Sequence, residues 1–472
     1  MMARALFNII GFVLVTSFAG FNIVAACDKR CVFSKPELAG LSYLFGIGAI
    51  TIEIFLFSLC GIKFTTFSIL LPWMILSIVN IPCFRRRAVI ARREAPKQSQ
   101  KQDCFVGKRA DSILLAMTAA LLIFVIAYAF LMAMVRPIES YDSVAIWSLK
   151  AKILYLAKEA PADFFTTLKT KFDGAHPDYP LLVPLSEVWF YTFINNFNDF
   201  LVKVIFPLNF MAFLVLFYAF LKKMLSSRTL ALTFTFMLAS IRQFSNYATN
   251  GYADMQMAIY GSLTFLALYL WIKESKAPYL WTAFFSCVFA IWTKNEGAVT
   301  LLGFAAIAAL HIFAKIKSRR QPLPSYALPI FMTAILAGLF ISWSIFKASA
   351  GAGNDVVNAQ AFIKYDLSGV FRRLFAILYE YQRQAFGVKY WNLSWIAFIS
   401  LAALGRKKLF SEENKYLTIP VFFTLLCYTG VYLITPQDIE WHLRRSASRL
   451  LIHILPLVIF YIAVRVDRIC SK

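Results

Sequence analysis

The segment Glu139–Pro184, ESYDSVAIWSLKAKILYLAKEAPADFFTTLKTKFDGAHPDYPLLVP, interrupts a chain that is otherwise mostly apolar. A connection of this size between membrane-spanning runs either folds into a site or stays disordered. Its aromatic residues (Tyr141, Trp147, Tyr155 and Tyr179, with Trp189 just beyond) argue for folding. Ile146, Leu149, Ile153 and Leu156 recur at helical spacing, with Lys152, Tyr155 and Glu159 on another face. That pattern predicts an amphipathic helix lying on the membrane or packed on the spans. Lys150 and Lys152 suit anchors that snorkel beside such a helix. Asp142 has two readings, a cap for a helix beginning at Ser143 or a general base at the junction of span and loop.

Outward from this segment, apolar runs of spanning length recur along the chain. The 472 residues are 60% apolar and only 15% charged, against about 25% charged in soluble domains. Fold class follows: all-α, a polytopic transmembrane helical bundle. Thirteen spans are expected, near 6–26, 38–60, 64–82, 111–135, 200–221, 229–245, 254–272, 279–294, 298–314, 327–346, 391–405, 416–434 and 450–464. Between the third and fourth runs a loop holds Arg85, Arg86, Arg87, Arg92, Arg93, Lys97, Lys101, Lys108 and Arg109 against only Glu94 and Asp103. Positive charge marks the cytoplasmic side. The basic clusters at Lys222–Lys223, Lys273–Lys276, Lys315–Arg320, Arg406–Lys408 and Arg465–Lys472 then alternate consistently, with the amino terminus outside. The net charge of +23 is therefore a topology signal and implies no nucleic-acid partner. The eight cysteines form no metal or disulfide pattern.

Once topology accounts for the basic loops, the remaining polar residues gather on the outer face. Asp142 follows the fourth run, and Asn250-Gly251-Tyr252-Ala253-Asp254 opens the seventh. Thr293-Lys294-Asn295-Glu296-Gly297 closes the eighth, and Trp441-His442 through Arg449 precedes the thirteenth. Charged groups at bilayer depth cost roughly 2.5–3.5 kcal/mol each on insertion scales, so four clusters on one face imply a shared, wetted cavity. His442, Ser446 and Arg449 fall at i, i+4 and i+7 of a helix, one face. Guanidinium there suits a phosphate, and positive charge on the outer side runs against the topology bias. Lys294 and Glu296 read equally as an ion pair and as substrate contacts. Asp254 reads as a sugar or acceptor ligand or as a partner for a nearby cation. His176 and Asp178 are candidates for the sugar or a divalent metal ion, or fix the turn between Pro177 and Pro180. Glu53, inside the second run, has no evident partner.

The order of these features resembles the polyprenyl-phosphate-dependent glycosyltransferases of the GT-C fold, which include protein O-mannosyltransferases and lipid A aminoarabinose transferases. The matching residues are Asp142 in Tyr-Asp-Ser, His176-Pro177 in His-Pro-Asp-Tyr-Pro, Gly-Tyr-Ala-Asp254, Thr-Lys294-Asn-Glu296-Gly and Trp-His442-Leu-Arg-Arg-Ser446-Ala-Ser-Arg449. The resemblance covers 111–472, with outer loop 136–199, and leaves 1–110 as an added three-span unit with its basic loop. Where the family often pairs two acids in the first loop, serine follows Asp142 here. Where O-mannosyltransferases have His-Pro-Pro, this chain has His-Pro-Asp.

The resemblance implies transfer of a sugar from a polyprenyl-phosphate donor to a lipid, glycan or protein acceptor, with inversion. It implies the plasma (inner) membrane in a bacterium, with the site on the extracytoplasmic side. Asp142 would be the base; His442, Arg445 and Arg449 would hold the donor phosphate. His176, Asp178, Tyr179, Asp254, Lys294 and Glu296 would contact sugar or acceptor. The alternative is a transporter or flippase for lipid-linked or anionic solutes, which would place its charges near the bilayer midplane, often between related halves.

Overall fold

The computed structural model describes residues 2–82, 87, 105–172, 174–317, 327–352, 366–405, 409 and 414–470. Every described element is helical, and no strand occurs among the described residues. Eight helices are long and apolar enough to cross a membrane. They are α1 (Met2–Cys27), α2 (Lys35–Leu59), α4 (Phe105–Val135, apolar from Asp111), α8 (Ile205–Met224), α11 (Asp254–Glu274), α13 (Gly297–Lys317), α14 (Ala327–Ser349) and α18 (Lys415–Ile434). A ninth crossing is made if α19 (Ile439–Ile452) and α20 (Leu455–Cys470), bent by 48°, act as one span. The protein is thus a multi-span helical membrane protein.

Three of the other expected spans are helices too short for that test: α3 (Thr66–Val79), α12 (Ala277–Thr293) and α17 (Ser394–Leu404). The span expected at 229–245 is divided into α9 (Arg228–Ser240) and α10 (Arg242–Tyr247) by extended backbone at Ile241. Neither Gly nor Pro marks that break. Apart from Arg87 and the start of α4, the basic loop lies outside the described residues, as do most of the basic residues at 317–320 and 406–408.

The amino-terminal helices are built into the bundle. Gly20 and Gly46 let α1 and α2 approach until backbone meets backbone: a Cβ on Gly20 would collide with the Ser42 carbonyl, and one on Gly46 with that of Thr16. Trp189 Nε1 donates to Thr16 Oγ1 at 2.9 Å, and Tyr260 Oη donates to the Leu44 carbonyl at 2.8 Å. Glu53 does have a partner, since Trp73 Nε1 donates to its Oε2 at 2.6 Å.

The outer loop is folded and helical. A π-helical turn, Ser143–Ser148, runs into α5 (Leu149–Ala157); α6 (Phe164–Lys171) and α7 (Leu182–Ile194) follow. The expected amphipathic helix is present and Ile146 is buried as expected, but the rest of the buried face is Trp147, Lys150, Ala151, Leu154 and Tyr155, while Leu156 is 65% exposed. The wide turn, in which Leu149 N–H donates to the Val144 carbonyl, inserts an extra residue and rotates the face read from 3.6-residue spacing.

A further helix, α15 (Leu367–Ala385), followed by the single turn α16 (Val388–Trp391), occupies a stretch expected to be loop. Its inward face carries Arg373, Glu380 and Gln384, and its outward face Leu367, Phe371, Phe375 and Tyr379. A water-soluble protein would have this inside out; against lipid the arrangement is favourable. Arg373 Nη2 donates to the carbonyls of Tyr432 and Thr435 at 3.2 and 2.8 Å, fastening α15 over the end of α18.

Candidate functional site

Asp254 is the first residue of α11 and is completely buried. A lone carboxylate there would be costly to bury, and three basic side chains converge on it. Arg449, from α19, directs Nε and Nη2 to Asp254 Oδ2 at 3.2 and 3.1 Å. Lys294, which follows α12, reaches Oδ1 at 3.0 Å. His453 Nε2 lies 3.3 Å from the same oxygen, and its Nδ1 lies 2.8 Å from Tyr428 Oη.

Two further carboxylates complete the network. Arg449 Nη1 donates to Asp142 Oδ2 at 2.6 Å, with both side chains 21% exposed. Lys294 Nζ lies 2.9 Å from Glu296 Oε1. Burial raises the Glu296 carboxyl, but the Lys294 ammonium outweighs it and holds the group below its ordinary value. Tyr252 stacks beneath the guanidinium, its ring centre 4.9 Å from Arg449 Cζ. Three carboxylates thus face two permanent cations and one imidazole.

The local chain explains how these residues meet. Gly251 takes φ +82°, and its missing side chain leaves room for Ser143, to which a Cβ would come within 3.2 Å. Ser143 Oγ donates to the Asn250 carbonyl at 2.5 Å, fixing the π turn against the loop before α11. Asp142 itself has helical backbone and makes no capping hydrogen bond. Of its two readings from sequence, the cap is not realised, and the carboxylate is committed to Arg449.

Beside the network lies a second polar group. Asn295 donates from Nδ2 to Asp178 Oδ2 at 2.6 Å and accepts from Lys347 Nζ at 3.0 Å. His176 Nδ1 is 4.0 Å from Asp178 Oδ1, and its backbone is left-handed at φ +44°, a strained conformation for a residue other than glycine. Lys150 Nζ donates to the His176 carbonyl at 2.6 Å and braces that turn. Tyr179 packs against His176 and Trp147, with Lys294 Nζ 5.9 Å from its ring centre.

Lys150 is buried, not snorkelling; Lys152 is the exposed one, lying over Phe197. Burial pushes the Lys150 ammonium down to about 7, against the opposing pull of Asp178. Between pH 7 and the ordinary lysine value of 10.5, the unfolded chain therefore binds more protons at this position, and stability rises with pH. Lys150→Met is expected to flatten that rise. An unchanged slope in unfolding midpoints measured from pH 7 to 10 for both proteins would overturn the assignment.

The structure brings together Asp142, Asp254, Lys294, Glu296 and Arg449, and places His176, Asp178 and Tyr179 beside them. It separates the other two residues expected at the phosphate. His442 sits about 10 Å along the helix from Arg449, seven residues at 1.5 Å each; its Nδ1 is 3.0 Å from Thr435 Oγ1 and its ring faces Tyr432. Arg445 is exposed. Ser446, between them, shares a 2.8 Å hydrogen bond with Tyr432.

Sequence reasoning missed His453, Tyr428 and Lys347. His453 extends the stripe of His442, Ser446 and Arg449 by four residues, so the spacing itself pointed to it. Lys347 is a positive residue at a span end expected to face outward, the same anomaly that singled out Arg449. Among the described residues no group of three or more His, Cys, Asp and Glu side chains is placed to hold a metal ion.

No protein-family model matches the chain, and no curated protein or solved structure matches it.

Proposed function

We propose that the protein is an integral-membrane glycosyltransferase of GT-C type, moving a sugar from a polyprenyl-phosphate donor to a lipid, glycan or protein acceptor at the non-cytoplasmic face. The observation that carries this reading is the Asp142–Arg449 pair, a base and a phosphate-matching fork joined at the accessible edge of a buried charge network. Asp254 fixes one side of the guanidinium; Asp142 occupies the side that solvent reaches. A donor phosphate competes with Asp142 for Arg449 and, on binding, releases the carboxylate.

Asp142 then takes the acceptor hydroxyl proton as the acceptor oxygen bonds to the anomeric carbon. The bond from that carbon to the phosphate oxygen breaks, its electron pair leaving with the phosphate, whose growing charge Arg449 stabilises. A single displacement inverts the anomeric centre. His442 and Arg445 lie further along the same helix, where they suit the outer part of the donor or the acceptor. Residues 111–472 form the transferase unit in this reading, and 1–110 an added unit that braces it.

The test is sugar transfer by purified protein in liposomes, offered polyprenyl-phosphate pentoses and hexoses with lipid and glycan acceptors. Arg449→Lys keeps the charge but loses the fork, so it should lower kcat/KM by roughly one to two decades, the worth of a charge-assisted contact. Transport of the lipid-linked sugar across the bilayer with no transfer would sink the enzyme reading in favour of a flippase.

We further propose that the shorter helices α3, α12 and α17, together with α9–α10 and α19–α20, complete a thirteen-span arrangement. The alternation of basic loops supports it. In a cysteine-free background, single cysteines at Ser99 and Thr166 should then label from opposite sides of the membrane. Labelling from one side would refute the arrangement.

A further inference from the structure

At the end of the bundle away from the charge network, α1, α2 and α8 leave a groove of about 540 Å³. Its walls are Val13 and Phe21 from α1, Leu38 and Ala39 from α2, and Leu208 and Val215 from α8. The volume is that of a small-molecule site, roughly 300–1,000 Å³. Four polar side chains, Ser17, Lys35, Ser42 and Tyr43, break the apolar lining.

Lys35 stands at the mouth, exposed, and forms no ion pair among the described residues. Deeper in, Ser42 and Tyr43 line the groove; both are 4% exposed, and neither hydroxyl has a hydrogen bond.

The surrounding charge agrees. Lys29 and Arg30 occupy the turn before α2, Lys222 and Lys223 end α8, and Lys223 is tied to Glu37 at 3.4 Å. Anionic headgroups are attracted to such a rim at about 1 kcal/mol per basic residue.

We propose that this groove is a specific site for an anionic glycerophospholipid, with one acyl chain between α1, α2 and α8 and the phosphate at Lys35. It is separate from the sugar-transfer reading and does not depend on it. The bound lipid wedges the amino-terminal hairpin against α8, where Gly40 already brings α2 onto the Ala212 carbonyl.

The experiment is native mass spectrometry of the delipidated full-length protein titrated with dioleoyl phosphatidylglycerol, dioleoyl phosphatidylcholine, glycerol 3-phosphate or undecaprenyl phosphate. One phosphatidylglycerol should be retained about fivefold more tightly than phosphatidylcholine, the ratio that about 1 kcal/mol gives. Lys35→Gln should remove that preference.

Ala39→Trp fills the groove from its exposed side and should weaken the tight adduct at least tenfold, whereas Ala39→Ser should leave it intact. Tight binding that survives Ala39→Trp means lipid held only around the bundle, and overturns the site. Equal retention of the two phospholipids by the unaltered protein overturns the headgroup assignment. Glycerol 3-phosphate binding as well as the lipid overturns the acyl chain's role, and undecaprenyl phosphate displacing phosphatidylglycerol overturns the choice of lipid.

Discussion

Asp142→Asn is expected to lower sugar transfer by roughly two to four decades, the usual worth of a positioned general base. The substitution keeps the size of the side chain, and an asparagine can still accept one hydrogen bond from Arg449. Only the negative charge and the capacity to take a proton are lost. Little change in stability should accompany it, because pairs open to solvent contribute about 0–1 kcal/mol and this pair is partly exposed on both sides. Turnover is measured in liposomes with a polyprenyl-phosphate sugar at matched protein amounts. A variant that keeps more than about a tenth of the normal rate, well outside the range for a base, would show that Asp142 is not the base. Asp178, two residues beyond a strained histidine and bonded to Asn295, would then be the next carboxylate to test.

Asp254→Leu should have the larger effect on the protein itself. Among the described residues, removing this carboxylate leaves Lys294 and Arg449 each with a single remaining acid, Glu296 and Asp142, and takes away the one carboxylate that joins the two. Breaking a buried pair by removing one member costs about 3–5 kcal/mol. The expected result is a sharp fall in monodisperse protein after extraction and a much lower unfolding midpoint in mixed micelles. Glu440→Ala is the control: Glu440 pairs with Arg444 at 2.6 Å, but both side chains are about two-thirds exposed, so its loss should cost under about 1 kcal/mol. If the two variants unfold alike, Asp254 does not organise the network.

The fold class was legible because the bilayer imposes one physical demand on every span, a long run of apolar residues. The charge network was legible for a related reason: positive charge expected on the outer face runs against the topology bias, which singled out Arg449, and polar residues at span ends singled out Asp142, Asp254, Lys294 and Glu296. What periodicity could not reveal was which of these acids lies at the centre. Asp254 and Asp142 look alike in sequence, and only packing makes one fully buried and the other accessible. His442 was grouped with Arg449 because both lie on one helical face, yet a face has length, and seven residues separate two environments.

The inward face of α5 was misjudged because a π turn leaves no mark in the hydrophobic spacing. Helix α15 was missed because its apolar face points away from the bundle and its polar face meets protein. Without a run long enough to span, that pattern looks like a polar loop.

Asp254 and Arg449 are 195 positions apart in the chain, which bears on how the protein is made. At roughly 5–20 residues per second, about 10–40 s pass between the synthesis of the acid and that of its guanidinium. Lys294 arrives only 40 positions after Asp254 and can neutralise it early, but the carboxylate's full set of partners exists only once α19 has been inserted. A chain that stops short of α19 is left with a half-matched acid at the start of a buried helix. The last helices therefore complete the charge balance of a helix that was made long before them.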